Sequence, residues 1–382
     1  MDFPQGTGTE KHDECRIFRQ GDETRREGGG FMKTTILRIR DVTAQAADIE
    51  AAGELLRAGG LVAFPTETVY GLGANGLEAS ACAGIYQVKG RPSDNPLILH
   101  AADRSMVEMA ARVVTPLGEK LLAAFAPGPI TLILPKRPEV PESVTGGFDT
   151  VGVRLPDNDV ARALIRAAGV PVAAPSANLS GRPSPTTAAA VAADLSGRVP
   201  LILDGGPCRF GLESTIVDCT GDRAVILRPG AITRDMIAAA VGSADLDPAL
   251  STPNVPPRAP GMKYVHYAPK VPLTLIMGEK ARLAAAFRRE VEKRQAAGKA
   301  VGLVVSEEIA AALEDIVPPP LTAIYGAQGD LFAMAAHLYE ALRYFDDKAV
   351  DVLLSEGVVP EGLGLAIMNR LQKASGGRCI EA

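Results

Sequence analysis

Short runs of consecutive apolar residues recur through residues 61–227, and each run ends at a polar residue, a charged residue or a glycine turn. The runs are too short for helices, and their apolar residues are adjacent rather than alternate, which is typical of strands covered on both faces of a sheet. The strands predicted in this way are residues 61–64, 97–99, 131–134, 151–154, 170–173, 201–203, 215–217 and 224–227.

Helical periodicity separates some of these strands, whereas others follow one another through glycine and aspartate turns. This mixture predicts an α/β or α+β domain with a mixed twisted sheet, and not a regular array of βαβ units. We place this domain at residues 32–245. The helices predicted within it are residues 45–58, 79–88, 103–113, 116–125, 158–168 and 185–195.

The last third of the chain is more regular, because each predicted strand is followed by a predicted helix. Such strand–helix units with short loops predict a small parallel sheet covered by helices. A smaller Rossmann-like α/β domain is therefore expected at residues 271–382. Its predicted units pair residues 273–276 with 279–297, 300–305 with 306–314, 321–325 with 330–345, and 350–354 with 363–374.

Two segments lack this regularity. Residues 1–31 are charged and poor in apolar residues, so we expect a disordered extension outside the fold. Residues 246–270 are rich in proline, which predicts a semi-rigid linker. A simple spacer has little use for Tyr264, His266 and Tyr267, and we therefore expect this linker to pack against another part of the protein.

Composition excludes several classes of protein. The formal net charge of −5 and an aromatic content of 4 % disfavour general binding to nucleic acid, so any contact with RNA must be local. Apolar runs never reach membrane-spanning length, and no secretory signal is evident. The scattered cysteines suit neither a zinc cage nor a disulfide framework and predict a reducing cytoplasm; they are Cys15, Cys82, Cys208, Cys219 and Cys379.

A pair of cations ends the predicted helix 79–88. Lys89 and Arg91 flank a glycine and precede Pro92, which restricts the exit path and so the position of the guanidinium. They are either a helix C-terminal pair that favours the macrodipole or a clamp for a polyphosphate. The chain contains no Walker A loop, so a P-loop nucleotide site is excluded.

Hydroxyl groups and further arginines follow other strands. If residues 65–71 stay extended, Thr66 and Thr68 face one side of the chain, although their hydroxyls could equally satisfy local backbone. Arg154 and Arg228 each end an apolar strand. Arg154 is as well explained by an internal ion pair as by an anion site, and the internal pair is slightly favoured for Arg228.

A second polar loop follows the strand 170–173 and contains Ser176 and Asn178. It lacks the Gly-x-Ser-x-Gly pattern, so a serine nucleophile is not expected. His100 ends the strand 97–99, where a lone histidine is more often structural. Histidine, cysteine and carboxylate residues nowhere show metal-cage spacing, so we expect no bound metal beyond Mg²⁺ arriving with a nucleotide.

Six motifs together closely resemble the YrdC-like threonylcarbamoyl-AMP synthases. The resemblance runs from about residue 35 to residue 240, and residues 260–269 with the domain after them resemble the longer, two-domain branch of the family. The motifs are residues 65–73 (PTETVYGLG), 89–97 (KGRPSDNPL), 127–131 (PGPIT), 149–154 (DTVGVR), 174–181 (APSANLSG) and 211–218 (GLESTIVD).

The resemblance implies that L-threonine, bicarbonate and ATP give threonylcarbamoyl-adenylate and pyrophosphate. A separate transferase complex would then pass the threonylcarbamoyl group to a tRNA adenine. The residues implied for L-threonine are Thr68, His100, Arg154, Ala174 and Ser214, and those for ATP are Arg91, Asn95, Thr150, Ser176, Ser184 and Arg228, with Lys89 near the phosphates. Lys89 and Arg91 are the residues expected to act in catalysis. Because a carbamate loses CO₂ readily, residues 258–269 of the linker are expected to close over the site as a lid anchored by Tyr264, His266 or Tyr267.

Two other functions fit the sequence less well. A carbamoyl-transfer step in metal-enzyme maturation is disfavoured, because the chain lacks the Cys-x-x-Cys pairs of such proteins. A plain RNA-binding module is disfavoured by the acidic charge balance and the few aromatic residues.

Overall fold

The computed structural model describes residues 32–250 and 267–382. Residues 32–250 form a mixed sheet of eleven strands in the order β1-β8-β2-β3-β7-β4-β6-β5-β9-β10-β11. The strands are β1 Thr35–Arg38, β2 Val62–Phe64, β3 Gly71–Asn75, β4 Ile98–His100, β5 Ile130–Pro135, β6 Thr150–Arg154, β7 Val172–Ala173, β8 Leu201–Asp204, β9 Thr215–Asp218, β10 Ala224–Arg228 and β11 Ala244–Leu246. The prediction of a mixed twisted sheet is confirmed, because parallel and antiparallel pairs both occur.

Helices cover this sheet, and all six predicted ones are present. They are α1 Ala46–Arg57, α2 Ala79–Lys89, α3 Arg104–Ala110, α4 Pro116–Phe125, α5 Glu142–Thr145, α6 Asp159–Ala168, α7 Ala188–Leu195 and α8 Arg234–Val241, of which α5 and α8 were not predicted. Helix α6 shows why its sequence folds locally: the Asn158 side chain caps its first turn, and Gly169 ends it with a left-handed φ of 69°.

Residues 267–382 form a second sheet of five parallel strands in the order β14-β13-β15-β12-β16. Its strands are β12 Leu273–Met277, β13 Val301–Val305, β14 Thr322–Ile324, β15 Val352–Glu356 and β16 Cys379–Glu381, and its helices are α9 Lys280–Ala296, α10 Glu307–Leu313, α11 Leu331–Arg343 and α12 Leu363–Ser375. The four predicted strand–helix units are all present. The fifth strand, β16, was not predicted.

Three strands of the first sheet were not predicted either: β1 and β11 at its two edges and β3 in its interior. Strand β3 contains two glycines and pairs antiparallel with β2 and with β7. A Cβ atom on Gly73 would lie 2.9 Å from both the Phe64 ring and a Val172 methyl group. Glycine therefore permits close packing here, whereas in the sequence it indicates a turn.

Helices α11 and α12 pack against one end of the first sheet. Leu212 and Val69 are buried in the same apolar cluster as Tyr339 of α11. Gly211 makes the approach possible: its φ is +69°, and a Cβ atom there would lie 2.4 Å from the carbonyl oxygen of Ala335. This contact places α11 beside the ends of strands in the first sheet.

Candidate active site

A narrow, partly enclosed cleft lies where the ends of several strands in the first sheet meet. Loops that leave β2 and β7 form one side, and the ends of β4, β6 and β10 supply His100, Arg154 and Arg228. The opening between such strand ends is where α/β sheets usually bind ligands. Ten of the residues predicted for the site line this cleft: Thr68, Arg91, His100, Arg154, Ala174, Ser176, Ser184, Ser214, Arg228 and Tyr267.

The loop after β2 is a tight turn, which is one of the two alternatives that the sequence left open. The Thr66 hydroxyl accepts hydrogen bonds from the backbone N–H groups of Thr68 and Val69 and donates to the Val69 carbonyl at 2.6 Å. Local backbone therefore uses the Thr66 side chain, as threonine often does in turns. The Thr68 hydroxyl lies 2.8 Å from that of Thr66 and also lines the cleft.

Arg154 forms a buried ion pair with Glu67, which was not predicted as a site residue. Its Nη2 atom lies 2.8 Å from Glu67 Oε2, and the side chains are only 5 % and 2 % exposed. The two groups are not aligned for hydrogen bonding, so Nε and Nη2 of Arg154 and both carboxylate oxygens of Glu67 are buried without hydrogen-bond partners. Unsatisfied donors in a cleft favour an incoming anion.

His100 is buried beside Arg154. Its Nδ1 atom lies 3.2 Å from the Ile98 carbonyl oxygen, and its ring meets Phe64 edge to face. Burial, and secondly the charge of Arg154, lower the pKa of His100 to about 3. The imidazole is therefore neutral at physiological pH and presents a hydrogen-bonding group without charge.

Arg228 holds Ser214 from the end of β10. Its Nε donates to the Ser214 carbonyl at 3.1 Å, and its Nη2 donates to the Ser214 hydroxyl at 3.2 Å. The same hydroxyl lies 2.7 Å from the Thr131 hydroxyl of β5. Burial lowers the pKa of Arg228, and Glu213 is among the groups that oppose this shift.

The cations of the 89–91 segment have different surroundings. Arg91 lines the cleft and donates to the carbonyl oxygens of Asn95 and Pro96 at 3.3 and 2.9 Å. Burial lowers its pKa to about 10, so it remains charged at neutral pH. Lys89 does not line the cleft: its Nζ donates to the carbonyl oxygens of Ser176 and Asn178, both at 2.5 Å, and burial holds its pKa well below the usual value.

Two other predicted residues also lie off the cleft wall. Asn95 is buried, and its carbonyl oxygen accepts from the Tyr86 hydroxyl as well as from Arg91. Thr150 lines a neighbouring cavity, which shares Pro96 with the cleft. The structure thus places both residues next to the cleft, on the side of Arg91.

Tyr267 is the part of the predicted lid that can be described. It is 4 % exposed, lines the cleft, and stacks on Tyr339 with ring centroids 5.3 Å apart. Its φ of 66° is unusual for a residue other than glycine and indicates that the surrounding packing holds this backbone in place. Tyr264 and His266 lie outside the described residues.

Sequence reasoning missed three charged residues of the site. Arg182 lines the cleft and pairs with Asp194 and with Asp346, which follows α11. Glu213 also lines the cleft and accepts a hydrogen bond of 2.6 Å from the Ser184 hydroxyl. Glu67 is the third. Glu67 and Glu213 lie within the motifs at residues 65–73 and 211–218, and Arg182 directly follows the motif at 174–181, so these motifs could have indicated them.

Metal-binding and membrane-spanning features were sought in residues 32–250 and 267–382. Histidine, cysteine and acidic side chains in these ranges do not gather in groups of three or more that could hold a metal ion. The helices in the same ranges are too short or too polar to cross a membrane.

The fold and the cleft together define an α/β protein with a buried, arginine-rich cleft at the ends of its strands. A family model described as "Telomere recombination" matches residues 54–230, and a model described as "Threonylcarbamoyl-AMP synthase, C-terminal domain" matches residues 232–376. The chain is 46 % identical to the threonylcarbamoyl-AMP synthase of Bacillus subtilis over 341 residues, which cover 89 % of this chain and 96 % of that relative.

An archaeal relative extends the comparison to a solved structure. The threonylcarbamoyl-AMP synthase of Pyrococcus abyssi is 42 % identical and covers 91 % of this chain and 99 % of its own length. The crystal structure of P. abyssi Sua5 complexed with L-threonine matches with a TM-score of 0.84, over 91 % of this chain and 98 % of that one. The chain belongs to the threonylcarbamoyl-AMP synthase family.

Proposed function

We propose that the chain makes L-threonylcarbamoyl-AMP from L-threonine, bicarbonate and ATP, with release of pyrophosphate, as the first step of N6-threonylcarbamoyladenosine formation in tRNA. The single observation that best supports this is the convergence of Arg91, Arg154 and Arg228 on one cleft in a member of this family. Buried guanidinium groups suit a reaction between a carboxylate-bearing amino acid and a triphosphate.

L-Threonine is assigned to the Arg154 side of the cleft. The Nε atom of Arg154, which has no hydrogen-bond partner, would bind its carboxylate, and the hydroxyls of Thr68 and Ser214 would contact its polar groups. The neutral imidazole of His100 would accept or donate a hydrogen bond without repelling the amine. Ala174 leaves space for the substrate beside the backbone.

ATP is assigned to the Arg91 side. Arg91 and Arg228 would stabilise the phosphates, Ser176 and Ser184 would donate hydrogen bonds, and Asn95 and Thr150 would complete the nucleotide site. In place of the direct phosphate role predicted for Lys89, we assign it to orienting the loop that carries Ser176, because its ammonium already binds two carbonyl oxygens of that loop. Mg²⁺ would reach the cleft on the phosphates, since Glu67 is already paired with Arg154.

The reaction requires positioning more than a protein nucleophile. The amine nitrogen of threonine bonds to the carbon of dissolved CO₂ and releases a proton to water, or bonds to the carbon of bicarbonate while a C–O bond breaks and water leaves; either route forms a carbamate. A carbamate oxygen then bonds to the α-phosphorus of ATP, while the bond from that phosphorus to the bridging oxygen breaks and pyrophosphate leaves. Placing the two reactants and neutralising the leaving group accelerate this step.

The organisation of the chain follows from this assignment. Residues 32–245 would form the catalytic domain, residues 246–270 a lid anchored at Tyr267, and residues 271–382 a domain that supports the cleft. A lid fits the chemistry, because a carbamate loses CO₂ readily unless water is kept out. We place the enzyme in the cytoplasm, where its product would pass to a threonylcarbamoyl transferase complex that acts on tRNA, with at most a local tRNA contact of its own.

The test is an amino-acid panel. Purified protein with ATP, Mg²⁺ and bicarbonate is expected to release pyrophosphate with L-threonine and much less with other amino acids. Arg91→Ala should lower this rate about thirtyfold to a thousandfold, the equivalent of about 2–4 kcal/mol of barrier, while the protein stays folded. Arg288→Ala is the matched control and should retain full activity, because Arg288 lies in α9 and forms only an exposed ion pair with Asp315. Release that does not depend on threonine would contradict the proposal.

A further inference from the structure

One arginine of helix α12, Arg370, contacts residues beside the cleft. The Arg370 side chain is fully buried, and its Nε donates to Glu213 Oε2 at 3.0 Å. Its Nη1 donates to the Pro229 carbonyl oxygen at 2.6 Å. Glu213 precedes Ser214 and Pro229 follows Arg228, so one guanidinium contacts the neighbours of two cleft residues.

Glu213 connects this arginine with the cleft wall. Its Oε1 accepts from the Ser184 hydroxyl at 2.6 Å, and the Tyr339 hydroxyl of α11 lies 3.1 and 2.9 Å from its two carboxylate oxygens. Although burial alone would raise it, the pKa of Glu213 falls to about 2 because of the charges of Arg370 and Arg228. The Glu213 carboxylate is therefore ionised, and it is held by Ser184 of the first domain and by Tyr339 and Arg370 of the C-terminal helices.

The two segments held by Arg370 are in close contact with each other. A Cβ atom on Gly230 would lie 2.4 Å from the backbone nitrogen of Thr215 and 2.8 Å from the Glu213 carbonyl oxygen. The Arg228 guanidinium in turn donates hydrogen bonds to the carbonyl oxygen and to the hydroxyl of Ser214. A small displacement of either segment would therefore change the distance between Ser214 and Arg228.

We propose that Arg370 is a positioning residue for the substrate cleft, through which the C-terminal part of the chain sets the geometry of Ser184 and Arg228 in the nucleotide site and of Ser214 beside them. This inference rests on the proposed function for the assignment of those residues to substrates. A buried ion pair gives little net stability compared with apolar packing, because both charges lose their hydration. We therefore expect the Arg370–Glu213 pair to fix the positions of the two cleft segments more than to stabilise the fold.

The experiment compares full-length variants by two measurements, thermal unfolding and titration with a non-hydrolysable ATP analogue. Arg370→Met and Arg370→Lys are expected to raise the analogue's Kd, by about tenfold to a hundredfold for methionine and by less for lysine, because misplacement by about an ångström has effects of this size. Leu371→Ala is the matched control: Leu371 is fully buried in the apolar core on the same helix. It should lower the Tm yet change the Kd by no more than about threefold.

A double variant separates position from stability. Glu213→Gln combined with Arg370→Met removes the unpaired buried carboxylate and should recover much of the Tm, whereas the Kd should stay raised because Pro229 has still lost its donor. Recovery of both quantities, a wild-type Kd in Arg370→Met, or an equal rise in Leu371→Ala would overturn the inference. If the wild type binds the analogue but releases no pyrophosphate with threonine, the proposed function fails while the test of Arg370 remains valid.

Discussion

Charged side chains in the cleft are held by partners on distant parts of the chain. Arg154 lies beside Glu67, and Arg182 pairs with Asp194 and Asp346. Each charge has lost hydration, so its position is determined by the few groups around it. This arrangement keeps the guanidinium groups in place before any ligand arrives, which lowers the cost of organising the site during the reaction.

Protonation of His100 is expected to destabilise the protein in acid. Its pKa is about 3 in the folded protein, compared with 6.5 in an unfolded chain. The unfolded state therefore binds a proton that the folded state does not, and stability is lost as the pH falls from about 6.5 towards 3. The loss attributable to this group is about 2 kcal/mol at pH 5, measured as the free energy of unfolding in urea.

His100→Asn provides the comparison for this prediction. The variant should lose less stability than the wild type between pH 8 and pH 5, because asparagine does not titrate in this range. Measurements of each protein at pH 8 serve as its own reference. Equal losses in the two proteins would show that His100 is not responsible.

Among the elements, α11 has the most demanding contact with the first sheet. Gly211 meets the carbonyl oxygens of Ala335 and Ala336 at distances that leave no room for a side chain. Gly90 has a similar backbone, with a φ of +62°, but a Cβ atom there would meet nothing within 4 Å. A comparison of substitutions at the two positions therefore distinguishes the cost of backbone strain from the cost of crowding against α11.

Gly211→Ala is expected to cost more stability than Gly90→Ala. Both substitutions place a side chain in the left-handed region, at about 1 kcal/mol, and Gly211→Ala adds overpacking of about 1–3 kcal/mol. Urea unfolding of the two variants measures the difference. Similar losses would mean that α11 moves away from Gly211 at little cost.

For the whole molecule, the two sheets depend on each other at the cleft. Val69 and Leu212 are buried against residues of the second sheet and its helices, and Glu213 receives hydrogen bonds from Tyr339 and Arg370. Separation of the two parts would expose the apolar side chains to water and leave a buried carboxylate without its main counter-charge.

Residues 32–250 produced alone are therefore expected to be folded but weakened. Their Tm should fall by about 5–10 °C relative to the full chain, and threonine-dependent pyrophosphate release should drop at least tenfold. A chain that starts at Met32 and keeps the remainder is the control, with an unchanged Tm; the predicted extension, residues 1–31, lies outside the described residues. A core as stable and active as the full chain would contradict this dependence.

The sequence by itself determined most of the elements and most of the cleft residues. Apolar runs and helical periods depend on near neighbours, so strands such as β6 and helices such as α6 could be predicted, and ordered motifs indicated Arg91, Arg154 and Arg228. Tertiary structure alone decided the rest. It made Gly71–Asn75 a strand, turned Lys89 towards backbone carbonyls, and joined Glu67 to Arg154 and Glu213 to Arg370. Those pairings link residues far apart in the chain, and folding alone brings such charges within the few ångströms at which they interact.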